Sequence, residues 1–141
     1  MRTQALLRSF AFGLASGLRT MTGPAAVFRS GAWRVVLPLA ALGEYAVDLL
    51  PQTPDRTAPG GLAARAISGG LCGAAVAKDA GGNVASCAAA GMLGAIGAAY
   101  AGLSFRRWLA ARITPVPAGI LEDGIAIGIA CLAANGRRPA A

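Results

Sequence analysis

The sequence predicts an all-α integral membrane helical bundle, and three observations carry that expectation. The 141 residues are 55% hydrophobic and 13% charged, with a mean hydropathy of +0.57, whereas soluble domains average about 25% charged. The apolar residues fall into about four to five long hydrophobic segments divided by short polar or proline-rich connections. The apolar content is also rich in Ala and in Gly, of which there are 20, and small residues let helices approach closely in lipid. A soluble Ala- and Gly-rich helical protein is the competing reading of the same composition. Length predicts a single domain over 1–141, with a polar, frayed tail from about residue 135.

Each segment has its own signature. The first, Leu6–Phe28, holds Arg19 near its middle and then a Gly23–Pro24 break. Such interruptions mark broken or re-entrant helices, and these tend to line transport sites. Arg2 and Arg8 ahead of "SFAFGLASGL" also fit a signal peptide, but no convincing small-x-small cleavage site follows before Arg19. The second segment, Trp33–Leu50, carries Glu44 and Asp48 and stops at Pro51. A stiff loop, Pro51–Gly60, leads to the third segment, Leu62–Ala77. That segment is short against the ~17–20 residues a crossing needs, so it is the second candidate for a broken or re-entrant helix. Lys78–Asn83 reads as a turn, since a phosphate loop would need GxxxxGK[ST]. The fourth segment is Val84–Phe105. The loop Arg106–Pro115 then leads to the fifth, Val116–Ala134, with Pro117 in its first turn. GxxxG pairs at Gly13/Gly17, Gly69/Gly73 and Gly124/Gly128, with Gly94, Ala98 and Gly102 at the same spacing, predict tight helix packing.

The net charge of +7 does not point to nucleic acid, because the arginines sit as short end-markers without interleaved aromatics. Lys and Arg flank spanning segments in this way and meet anionic headgroups, and Trp33 and Trp108 stand where interfacial anchors do. Counting Lys and Arg by side leaves seven against five whether five segments cross or only three, with the first and third re-entrant. Orientation therefore stays open. Cys72, Cys87 and Cys131 show no CxxC spacing and the chain has no His. That pattern argues against a zinc site and a Cys–His nucleophile. No catalytic, metal-binding or cofactor-binding residue is expected, and the chain does not read as an enzyme.

The charges inside the apolar stretches carry the functional information. An ionisable residue at the bilayer centre costs at least ~2.5–3.5 kcal/mol, so it needs a partner or a task. Glu44 and Asp48, four residues apart, share one helix face. With Arg19, Arg65, Glu122 and Asp123 they form a polar set with two readings. In one, the carboxylates line a path for a small ion or solute. In the other they are ion pairs that fix helix register, for instance Arg19 with Glu44 and Arg65 with Asp48 or Glu122.

The order of these features resembles a bacterial family of small multi-spanning membrane proteins catalogued only as a domain of unknown function, family four-one-two-six. The resemblance lies in "SGLRTMTGPAAV" at Ser16–Val27, "LGEYAVDLLPQTPDRTAPGGLAARAISG" at Leu42–Gly69, and Ile120–Gly128. The residues it carries over are Arg19, Glu44, Asp48, Pro51, Pro54, Arg56, Pro59, Arg65, Glu122 and Asp123. It implies a multi-spanning helical membrane domain and names no activity, substrate or cofactor.

The functional expectation is a small transporter or channel, multi-pass in a bacterial inner (plasma) membrane, with an intramembrane Arg/Glu/Asp site. One protomer of this size encloses little, so a path forms more easily between protomers of a homo-oligomer. The alternative is a non-transporting membrane scaffold or assembly factor whose buried charges are structural ion pairs. The expected partners are the lipid bilayer, further copies of the chain and a small ion or solute.

Overall fold

A single helix through Leu6–Phe28 would leave the Thr20 carbonyl without a donor, because Pro24 has no N–H to give it. In the computed structural model, which describes residues 2–47, 58–112 and 115–135, the chain breaks at that place. The elements are α1 (Arg2–Leu18), α2 (Thr22–Val27), α3 (Trp33–Val47), α4 (Pro59–Ala80), α5 (Val84–Ala110) and α6 (Pro115–Asn135), with no strand among the described residues. Asp48, Pro51, Pro54, Arg56 and the tail beyond Asn135 lie outside the described residues.

After the break the chain turns back on itself. Gly23 lies against the Ser16 hydroxyl and the Phe12 carbonyl, and Val27 joins Phe12, Cys72, Val76 and Ala133 in the apolar core. A continuous helix, rising 1.5 Å per residue, would carry Val27 about 22 Å past Phe12. The first predicted segment is thus a helical hairpin, α1 followed by the short return of α2.

The neighbours fix the remaining directions. α4 runs opposite to α1, with Ala77 beside Ala5 at one end and Ser68 on Thr20 at the other. α5 runs with α1, from Cys87 beside Ala5 to Gly102 beside Leu18. α6 returns, from Asp123 at Arg19 to Ala133 at Arg8 and Phe12. Arg29 and Ser30 border Lys78 and Asp79, so α3 starts near the N-terminal end and climbs until Glu44 meets the break. The bundle therefore has a break end and a terminal end. Among the described elements only the first segment folds back on itself.

The third segment is not broken or short. α4 is one helix of 22 residues, since Pro59 fits the first helical position, where an N–H is not required. The helix also continues through Lys78 and Asp79 until Gly81 takes a left-handed conformation, φ 64°. Asn83 then opens α5, its side chain accepting from the Ser86 N–H at 2.9 Å. The expected turn is thus a helix end and a helix cap joined. α4 and Val84–Leu109 of α5 are long and apolar enough to cross a membrane.

Glycine sets how closely α1, α4 and α5 pack. A Cβ added at Gly13 or Gly69 would strike the Gly91 carbonyl, and one at Gly73 would strike the Cys87 carbonyl. Two of the predicted GxxxG pairs are thus helix contacts, and Gly94 likewise meets the Phe10 backbone. The third pair is not: among the described residues, no atom outside its own stretch of helix lies within 4 Å of a Cβ added at Gly124 or Gly128. They lie on the outer face of α6 because that helix turns Glu122, Ala126, Ala130 and Ala133 inward instead.

Candidate functional site: the charged helix break

The polar side chains gather where α1 stops. Breaking a helix frees backbone groups, and burying them unpaired costs free energy comparable to a lost hydrogen bond. Glu44, near the end of α3, accepts from the Thr20 N–H at 2.8 Å and from the Met21 N–H at 2.9 Å, one on each carboxylate oxygen. Ser68 of α4 donates its hydroxyl to the Thr20 carbonyl at 2.6 Å, supplying the hydrogen bond that Pro24 withholds. Two neighbouring helices thus complete the backbone of the turn.

Arg19 occupies the turn itself. Its side chain is 3% exposed and reaches α6, where Nε and Nη2 lie 2.6 and 2.5 Å from Asp123 Oδ1. Asp123 is 26% exposed, so the pair runs from the interior towards the surface. Beside it, Glu122 is 2% exposed and faces Arg106 of α5, with Nη2 at 3.3 Å from Oε2. Gly102 makes room for this carboxylate: a Cβ there would come within 3.0 Å of Glu122 Oε1. Arg65, also buried, donates from Nη1 to the Gly61 carbonyl at 3.1 Å, one turn back along α4.

The structure therefore brings five of the six sequence-predicted residues to one end of the bundle: Arg19, Glu44, Arg65, Glu122 and Asp123. The sixth, Asp48, is outside the described residues. The pairings differ from the examples expected. Arg19 closes on Asp123, and the Glu44 carboxylate goes to backbone N–H groups instead of serving only as a counter-ion. Arg106, expected at lipid phosphate, holds Glu122 instead. Its spacing gave no sign of this, because the expected loop from Arg106 is helical as far as Ala110 and the partner lies on the next helix, α6. Ser68 was also missed. Pro24 identifies the carbonyl that loses its donor, but no pattern in the sequence names the hydroxyl that replaces it.

Chemically, the site is a clamp. A carboxylate that accepts two N–H bonds and a buried guanidinium on an aspartate are charge-assisted contacts that hold one geometry. No family model, curated protein or solved structure matches the chain, so its functional reading rests on this geometry.

Proposed function

We propose that the chain is a multi-pass protein of a bacterial inner membrane, serving as a non-transporting scaffold or assembly factor whose buried charges are structural. The observation that carries this reading is the Glu44 carboxylate, with both oxygens engaged by the N–H groups of the α1–α2 turn. A carboxylate that relays protons or binds a passing cation must release its partners. Releasing these would open the turn that holds α2 in the core.

The membrane setting is supported by α4 and α5 and by large apolar side chains on the outer faces. Leu39, Leu71, Leu93 and Leu132 are each more than half exposed. Trp33 and Trp108, both exposed, stand at opposite ends of the bundle, as interfacial anchors do. A homo-oligomer belongs to the same reading, since Gly124 and Gly128 leave the outer face of α6 open to a close neighbour. Light scattering of the purified protein in detergent reads the oligomer directly.

Transport is the second reading, and one observation favours it: Asp123 keeps partial exposure while its cation is buried. Purified protein in liposomes, assayed for proton and cation flux, separates the two. The scaffold reading expects no flux above empty vesicles, and lower melting temperatures for Glu44→Gln and Arg19→Ala. Flux that Glu44→Gln abolishes while the protein stays folded would overturn it.

A further inference from the structure

α3 packs on α2 and, among the described helices, on no other. α6 lies on the far side of α2, so a cleft of about 510 Å³ opens between α3 and α6 with α2 as its floor. Its size falls in the range of small-molecule sites, roughly 300–1,000 Å³. The lining is mostly small and apolar, with Ala26 on the floor, Ala41 on the α3 wall and Ile127 and Ala130 on the α6 wall. Arg29 and Asn135 stand at the terminal end. The cleft is thus amphipathic along its length, with an apolar slot below a cationic mouth.

We propose that this cleft binds one anionic phospholipid, one of its acyl chains along the alanine-lined slot and its phosphate on Arg29. The proposal rests on the membrane reading above. Arg29 is exposed and has no hydrogen bond or ion pair among the described residues, unlike Arg19 and Arg106, which are engaged by acids. It also borders a second hollow, of about 400 Å³, shared with Ser30, Lys78 and Asp79. Two cations against one acid leave the mouth net positive. The depth is right as well. Trp33, which follows Arg29 closely in the chain and is 59% exposed, marks the interfacial level where a headgroup sits. Charge complementarity favours this occupant over a partner's apolar helix, which would gain nothing from an arginine at the mouth.

The test uses the full chain, purified in detergent and stripped of lipid, with native mass spectrometry during titration by phosphatidylglycerol and phosphatidylcholine at equal concentration. One phosphatidylglycerol is expected to be retained in preference to phosphatidylcholine by about fivefold, the worth of one cation near an anionic lipid. Arg29→Gln should erase that preference, while Arg112→Gln, at the opposite end, should keep it. Cys131 is the one exposed cysteine and lines the cleft, so Cys131→Trp plugs the slot and should lower retention of both lipids. In the unmutated protein, phosphatidylglycerol should slow maleimide labelling of Cys131 several-fold, a readout that needs no variant. Equal effects of Arg29→Gln and Arg112→Gln, unchanged Cys131 labelling, or a bound peptide in place of lipid would overturn the site. A protein that stays in the soluble fraction without detergent would overturn the membrane reading instead, so the two failures are distinct.

Discussion

Replacing Glu44 with alanine removes both acceptors of the α1–α2 turn at once. Hydrogen bonds to a charged group contribute about 1.5–3 kcal/mol each, and Glu44 makes two, at 2.8 and 2.9 Å. The carboxylate is half-buried, so water replaces part of what is lost, and the lower end of the sum applies, about 3 kcal/mol. Glu44→Gln keeps one carbonyl acceptor but sets an NH₂ group against the other N–H. It should cost about half as much or somewhat more. Reversible unfolding in mixed micelles followed by circular dichroism gives both values, and amide exchange at Thr20 and Met21 locates the damage. Both amides should exchange faster in the alanine variant, while those of α5 hold. A Glu44→Ala protein within about 0.5 kcal/mol of the unmutated chain, the range of a neutral surface change, would refute the clamp. So would unchanged exchange at Thr20 and Met21.

Three further outcomes follow from the packing and the charge distribution. Gly91→Val places a Cβ on the Gly69 backbone, which cannot yield as a side chain would. It should cost at least the ~1–3 kcal/mol of ordinary overpacking, whereas Gly97→Val, in open space, should melt normally. Arg106 and Glu122 should show a double-mutant coupling of about 0.5–3 kcal/mol, measured as melting free energies of Arg106→Ala, Glu122→Gln and the pair. Single cysteines at Lys78 and Arg112, in a chain otherwise free of cysteine, should label from opposite faces of the membrane, Lys78 from the cytoplasmic one. Among the described residues, Arg2, Arg8, Arg29, Arg34 and Lys78 belong to the terminal end, against Arg106, Arg107 and Arg112 at the break end beside the buried Arg19 and Arg65. Five against three outside the buried pair predicts that the terminal end faces inward.

The helical class and the choice of polar residues were legible because both rest on local signals. Apolar runs mark helices, and a charge inside such a run needs a reason wherever the chain goes. The break in the first segment was legible for the same cause, since Pro24 acts on its own backbone four residues back. What the chain does after the break was not. Whether α2 continues or folds back depends on Gly23 fitting against Ser16 and on Glu44 arriving from α3, and these are contacts between distant residues. The same limit explains α4. Its apolar run ends at Ala77, but the helix ends where Gly81 supplies the left-handed turn, so hydropathy underestimates its length. GxxxG spacing shows that a close approach is available without showing which face meets a neighbour. Gly13 and Gly69 pack against Gly91 while Gly124 and Gly128 face outward.

The two ends of the bundle differ in how their charges are spent, and the helix break is the cause. Folding α2 back exposes backbone donors and a carbonyl inside an apolar bundle, and only side chains from other helices can reach them. Glu44 and Ser68 do so, and Arg19, carried into the turn by its place in the sequence, draws Asp123 with it. Acids are therefore required at that end, and the buried Arg19 has its partner inside the fold. No such demand exists at the terminal end, where α4 and α5 close with a glycine and an asparagine cap. Asp79 is the single acid among the described residues there, and Arg29 is left facing outward. A basic surface beside an apolar cleft is thus a consequence of where the chain needed its carboxylates. That surface is where a partner of negative charge would meet the least competition from the protein itself.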